Sequence, residues 1–463
     1  MSILLARVAT HPRPESMARS IRPDVDISAL GAPSLAWVVL VAGSILYSGI
    51  GLGIHHFYGS GTDLTIFSQA LGTMADGRAP LVPVKGPTAN LFGDHWHPLV
   101  VILVPLFWIW DDPAVLLVAQ AVCVAAAAAI LTATARRRAA SAQILGPALL
   151  VSPGVAAAMA FDFHEVALGA PILALGCAAF IEGRWSAVMV WSFWLLPVKE
   201  DAGLMVLGLA GALWWRGQRW RAVVLTVTSV VWMALAVSVF IPAVNGGGQY
   251  TYTRSAGGGL PQLLATLGQS LLWPGLATLT ALVLVGVTGG AALRSPLVLV
   301  AFLPWLARAA VPNWRYWALN YHYSLLPAVA LFFAALDSGL VQTRARRHRF
   351  VAAMMVVSII VLVPATANRI VVHDSAAAAQ AVTHVPDRAH VATMPNLSPH
   401  LARRATVTVL VEGTDPTAAG QPTATADWIL VDRNIPWAQQ QRRNHLQDWD
   451  ETWCNHRYCL LRR

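Results

Sequence analysis

Residues 111–138 read DDPAVLLVAQAVCVAAAAAILTATARRR, and this stretch decides the fold class. Between Pro113 and Arg136 no charged residue occurs, and the run is long enough for a bilayer core of about 30 Å, which takes roughly 20 residues of α-helix. Two aspartates close one end and three arginines the other. Arginine-rich ends stay in the cytoplasm, so the aspartates are expected on the outer face.

Working outward, apolar runs of similar kind recur, and 56% of the chain is hydrophobic while 12% is charged, against about 25% charged residues in soluble domains. Hydropathy predicts eleven spans, near 35–54, 114–135, 140–160, 165–181, 186–199, 201–215, 221–242, 271–290, 296–311, 323–340 and 350–367. The clusters Arg136/Arg137/Arg138, Arg216/Arg219/Arg221 and Arg344/Arg346/Arg347/Arg349 are assigned to the cytoplasm. The net charge of +9 therefore reads as topology and not as a nucleic-acid surface. Residues 1–33, polar with Pro and Arg, read as a disordered cytoplasmic tail and not as a cleaved signal. The membrane domain covers 34–370, with a long first outer loop at 55–113.

Pro98–Trp110 is too short to span and is expected to lie at the outer interface, with Trp108 and Trp110 at headgroup level. After residue 370 the apolar runs shorten. VATM at 391, TVTVLV at 406, DWILVD at 427 and YCLLR at 458 read as strands of a small extracytoplasmic α/β domain, 371–463. Cys123 and Cys177 read as packing residues. Cys454 and Cys459 pair if that end faces an oxidising compartment.

On this topology the acids gather outside: only Glu182 and Asp337 of the membrane-domain loops fall inside. In GTDLTIFSQAL, Leu64, Phe67, Ala70 and Leu71 recur at helical spacing. Asp63 before them is either a helix N-cap or a general base toward a hydroxyl. GDHWHP brings Asp94, His95 and His97 into one turn, suited to a phosphate, a divalent metal or a polar interface; no spacing here defines a metal ligand set. FDFHEVAL places Asp162, His164 and Glu165 at a helix mouth, and WLLPVKEDAGL places Lys199, Glu200 and Asp201 at another. Charges bordering apolar segments tend to mark functional sites. Lys199 either pairs with Glu165 or Glu200 to hold helices together or binds a phosphate. In NWRYWALNYHYS, Arg315, Tyr321 and His322 suit a phosphate and a sugar ring, or anchor the interface.

TDLTIFSQAL, GDHWHP, LVPLFWIWDDPAVLLVAQA, FDFHEVAL, VKEDAGL, NYHYSLLP, HVATMPNLSPHLARRA and ADWILVD together resemble the multipass membrane family called domain of unknown function 2079. Thr62 and Ser68 depart from it, since an aromatic and a second acid are usual there. The family is similar to the GT-C glycosyltransferases. That resemblance implies an enzyme using a polyprenyl-phosphate-linked sugar donor, Asp63 as the base, and helices 64–75 and 98–110 as the cleft floor. The expected acceptor is a glycan or lipid of the cell envelope. The abundant Arg and Ala suggest a high-GC bacterium and hence its inner (plasma) membrane, with the N-terminus cytoplasmic and the C-terminus outside. A transporter or lipid flippase, or a non-catalytic envelope scaffold, are the rival readings; a transporter is expected to expose polar groups to both sides, often through paired broken helices in two related halves.

Overall fold

α1 (Leu35–His56) turns Trp37, Val41 and Ile45 outward, exposed, as a helix facing lipid does, and its other side packs along the helix Ala114–Arg138. Small residues set the spacing. Gly43 meets Leu150 and Ala125, and Gly51 meets Leu117, so the backbones approach without hydrogen bonds between side chains. The computed structural model describes residues 34–250, 259–340, 374–418 and 420–463, with Val356 and Ile360. The expected tail 1–33, the cluster Arg344/Arg346/Arg347/Arg349 and the span 350–367 lie outside the described residues.

Where eleven spans were expected, the described residues form a mixture of long and short apolar helices. Among the described residues four helices are long and apolar enough to cross a membrane: Leu35–His56, Ala114–Arg138, Ala142–Met159 and Arg219–Val244. Val166–Ile181, Trp185–Val198, Ala202–Trp215, Val298–Ala309 and His322–Asp337 are apolar but shorter. The span expected at 271–290 is instead the second half of a bent pair, Gly259–Leu272 and Leu276–Gly286, at 45°. Val166–Ile181 and Ala202–Trp215 begin immediately after the polar segments FDFHE and VKED, and His322–Asp337 opens with a 3-10 turn, His322–Ser324, inside a third, NYHYS.

The opposite helix ends carry the arginines. Arg137 and Arg184 donate to Glu182 at 2.7 Å each, Arg216 reaches both oxygens of Asp337 at 2.9 Å, and the Arg216 guanidinium lies 5.4 Å from the Phe180 ring. Glu182 and Asp337, the two acids expected on the arginine side, are thus held there by arginines.

The interfacial helix expected at 98–110 is a 3-10 turn, Pro98–Leu103, followed by one α-helical stretch, Val104–Ile109. Trp108 donates to the Ala75 carbonyl at 3.0 Å. That carbonyl closes α2 (Thr62–Ala75).

The C-terminal sheet holds five strands, β1 (His390–Thr393), β2 (Thr406–Val409), β3 (Trp428–Asp432), β4 (Asp450–Cys454) and β5 (Tyr458–Arg462), in the order β2-β1-β3-β5-β4. β1 is parallel to β2 and β3, and β5 is antiparallel to β3 and β4. β4 was not expected from the sequence. Cys454 and Cys459, opposite each other on β4 and β5, form a disulfide. The sheet has its own apolar core, centred on Leu397, Leu401, Ile429 and Leu430, yet Leu35–Arg463 clusters as one compact unit. Tyr58 from the end of α1 enters that core.

Candidate active site

α2 places Asp63. Gly61, not Asp63, is the N-cap residue, and no side chain caps the helix, so Asp63 does not have the capping role considered for it. The Gly61 amide donates to both Asp162 carboxylate oxygens, at 3.1 and 3.0 Å, a charge-assisted contact that pins the positive end of the helix. Asp63 stands in the first turn with 38% of its side chain open to a cavity and its Oδ2 3.4 Å from His164 Nε2.

The partners of His164 define its protonation. Its Nδ1 lies 3.1 Å from the Asp162 carbonyl, which can only accept, so Nδ1 carries a hydrogen. Nε2 faces a carboxylate, which also accepts, so the dyad holds a further proton between the two groups. Burial alone would push the Asp63 carboxyl up, but the hydrogen bond and charge of His164, with the charge of Lys85, hold it below the usual carboxylate range. Burial would likewise push His164 down, and Asp63 and Glu165 hold it above the usual imidazole value. His322 stacks on His164, with centroids 3.4 Å apart.

Asp63 opens into a cavity of about 510 Å³, within the range of small-molecule sites. On its wall Lys199 pairs with Glu165 at 2.8 Å, and His97 Nδ1 stands 3.8 Å from the same carboxylate. Of the partners considered for Lys199, Glu165 is the one reached. Glu200 collects His95 Nδ1 at 2.5 Å, the Trp96 amide at 3.0 Å and the Tyr250 hydroxyl at 3.0 Å. Burial would raise the Glu200 carboxyl, and the His95 and Lys199 charges outweigh it and bring it down to about 2. Asp94 is bound by Lys85, and Asp201 also lines the cavity.

Asp63, Asp94, His95, His97, His164, Glu165, Lys199, Glu200, Asp201 and His322 therefore converge on one space. Arg315 and Tyr321 do not. Arg315 is exposed, its guanidinium 5.8 Å from the Trp314 ring, and Tyr321 packs edge-on against Phe161 at 5.3 Å. Asn313 explains the difference: its side chain accepts from the Arg315 amide at 3.1 Å and starts a short helical turn, Trp314–Trp317. Among the described residues, the ligand-bearing side chains close enough to hold a metal are Glu451, Cys454 and Cys459. The two sulfurs there are already joined.

Residues 54–461 match the family described as "Predicted membrane protein (DUF2079)". The chain belongs to this family. No curated protein matches it. Among the solved structures that match is the crystal structure of ArnT from Cupriavidus metallidurans bound to undecaprenyl phosphate, with 13% identity, a TM-score of 0.48, and coverage of 93% of this chain and 98% of that chain.

This DUF2079 protein adds to the cavity residues that sequence reasoning missed: Lys85, Arg308, Tyr250, Tyr316 and Tyr323. Two of them carried a signal. Lys85 and Lys199 are the only lysines of the chain, and both line the cavity. Arg308 is an isolated arginine in the last turn of the apolar helix Val298–Ala309, at the end away from Asp337 and Arg216, and its guanidinium reaches the Tyr323 carbonyl.

Proposed function

We propose that this DUF2079 protein is a membrane glycosyltransferase that moves a sugar from a polyprenyl-phosphate donor to an envelope glycan or lipid. Asp63 is the general base. The observation that carries the reading is one cavity, at the end of an apolar helix bundle, whose lining joins a partly open carboxylate, Asp63, to three cations, Lys85, Lys199 and Arg308.

The step balances as follows. The acceptor hydroxyl gives its proton to Asp63 while its oxygen attacks the anomeric carbon from the face opposite the phosphate. The carbon–oxygen bond to the phosphate breaks, and its electron pair leaves with the lipid phosphate. Charge grows on that phosphate in the transition state, so fixed cations stabilise it more than the ground state. The carboxylates of Asp94, Glu200 and Glu165, already bonded to Lys85, His95 and Lys199, hold those side chains in place.

The cavity is assigned to the extracytoplasmic side of the bacterial plasma membrane, because Arg137 and Arg216 hold the opposite helix ends and arginine-rich ends stay in the cytoplasm. The C-terminal sheet with its disulfide then faces an oxidising compartment.

Purified Asp63→Asn, assayed against a set of polyprenyl-phosphate sugars that includes a donor used by the wild type, is expected to lose transfer by about 10²–10⁴-fold, the usual contribution of a general base, with an unchanged melting temperature. Wild-type turnover by this variant removes Asp63 from the base role.

A further inference from the structure

α2 has two working faces. Asp63, Ile66 and Phe67 look into the cavity. Thr65, Gln69, Gly72 and the helix-ending Asp76 follow at the four- and three-residue steps of the other face, and that face meets the C-terminal domain. Thr65 and Ser398 share a hydroxyl hydrogen bond of 2.6 Å. Arg403 lies against Gly72, where a Cβ would strike its guanidinium, and bonds Asp76 at 3.4 Å and Asp111.

At the centre of this face Gln69, 3% exposed, spends both ends of its amide. Its nitrogen donates to the Val407 carbonyl on β2 at 2.8 Å. Its oxygen accepts the Val84 amide at 3.2 Å. Val84 belongs to a strap closed by the Leu81–Asn90 bridge, and the next residue is Lys85, whose ammonium binds Asp94 on the cavity wall. One buried side chain thus ties together the helix that carries Asp63, the strap that carries Lys85, and a strand of the sheet.

We propose that Gln69 is a positioning residue through which the C-terminal domain sets Asp63 and Lys85 at their working separation. The proposal rests on the transfer reading for its kinetic consequence. The C-terminal domain is then part of the active centre and not an appended module. Base and phosphate-binding cation sit on separate segments, and a shift of about 1 Å between reacting groups can cost roughly 10²-fold in rate; the amide holds both segments to one backbone.

Gln69→Met keeps the length of the side chain and removes both hydrogen bonds. In the full-length purified protein it is expected to lower kcat at least about tenfold per folded molecule with a smaller change in acceptor KM, and to speed hydrogen–deuterium exchange across residues 78–90 and 398–410. Gln69→Glu, whose protonated acid can both donate to Val407 and accept from Val84, is expected to recover part of kcat. Ser398→Ala, which loosens the same face from the C-terminal side, should lower kcat in the same direction and serves if Gln69→Met does not fold. Wild-type kcat in folded Gln69→Met, or unchanged exchange in 78–90, overturns the proposal, as does wild-type kcat in Ser398→Ala when only that variant folds. Asp63→Asn measured alongside separates the two ideas: if it retains transfer, the base assignment fails, while the exchange of the strap still decides the role of Gln69.

Discussion

Asp63 and His164 act on each other, so their titrations are those of a pair. The competent form has Asp63 ionised and His164 protonated. Activity should fall on the acid side as pH drops through the depressed Asp63 value, and on the alkaline side as pH rises through the raised His164 value. His164→Gln removes the cation that lowers Asp63. The acid limb of the kcat/KM profile should therefore move to higher pH and the alkaline limb attributable to His164 should vanish; an acid limb that stays in place contradicts the coupling. Glu165 and Lys199 make a second test. Their side chains are 2% and 13% exposed, and removing one partner of a buried pair costs about 3–5 kcal/mol, while replacing both is often neutral. Lys199→Met should lower the melting temperature sharply and Lys199→Met with Glu165→Met should recover much of it, measured by thermal melting in detergent. At this scale the sequence motifs were informative because their charges interrupt apolar runs. Arg315 misled for a local reason: it lies near His322 in sequence, but Asn313 turns it outward, and Arg308 from the preceding helix lines the space instead.

Element by element, periodicity and apolar length placed the long helices, while breaks and edges escaped them. The run at 140–160 is a span, Ala142–Met159, but with a local interruption at Val151 and Ser152, where Pro153 opens its second half; proline favours that first position and cannot continue the preceding turn. β4 was invisible because Asp450, Glu451 and Thr452 give no apolar alternation; it is an edge strand, and charged residues are what an edge strand uses to avoid further pairing. Close helix contacts left a subtler mark in small residues. A Cβ at Gly208 would lie 2.5 Å from the Val300 Cα, a backbone that cannot swing aside as a side chain could. Gly208→Ala should therefore destabilise the pairing of Ala202–Trp215 with Val298–Ala309 by about 1–3 kcal/mol, the range for overpacked sites. An unchanged melting temperature would show that these helices part easily.

For the whole molecule, the arginines of the sequence mark one end of the helix bundle, and Glu182 and Asp337 gather there with Arg137 and Arg216 away from the cavity. What the sequence did not reveal was the docking of the C-terminal domain on α2. Those contacts run through Gln69, Ser398 and Arg403, polar residues with no periodic pattern, separated by hundreds of positions from their partners. An oxidising location for the sheet predicts that denatured but unreduced protein alkylates at Cys123 and Cys177 and not at Cys454 or Cys459. The most direct test of the account is a cryo-electron-microscopy map of the Asp63→Asn protein in lipid nanodiscs with a polyprenyl-phosphate sugar that the wild type turns over. The account predicts the phosphate beside Lys85, Lys199 and Arg308 with the sugar next to residue 63; phosphate density elsewhere on the molecule, with this cavity empty, would contradict it.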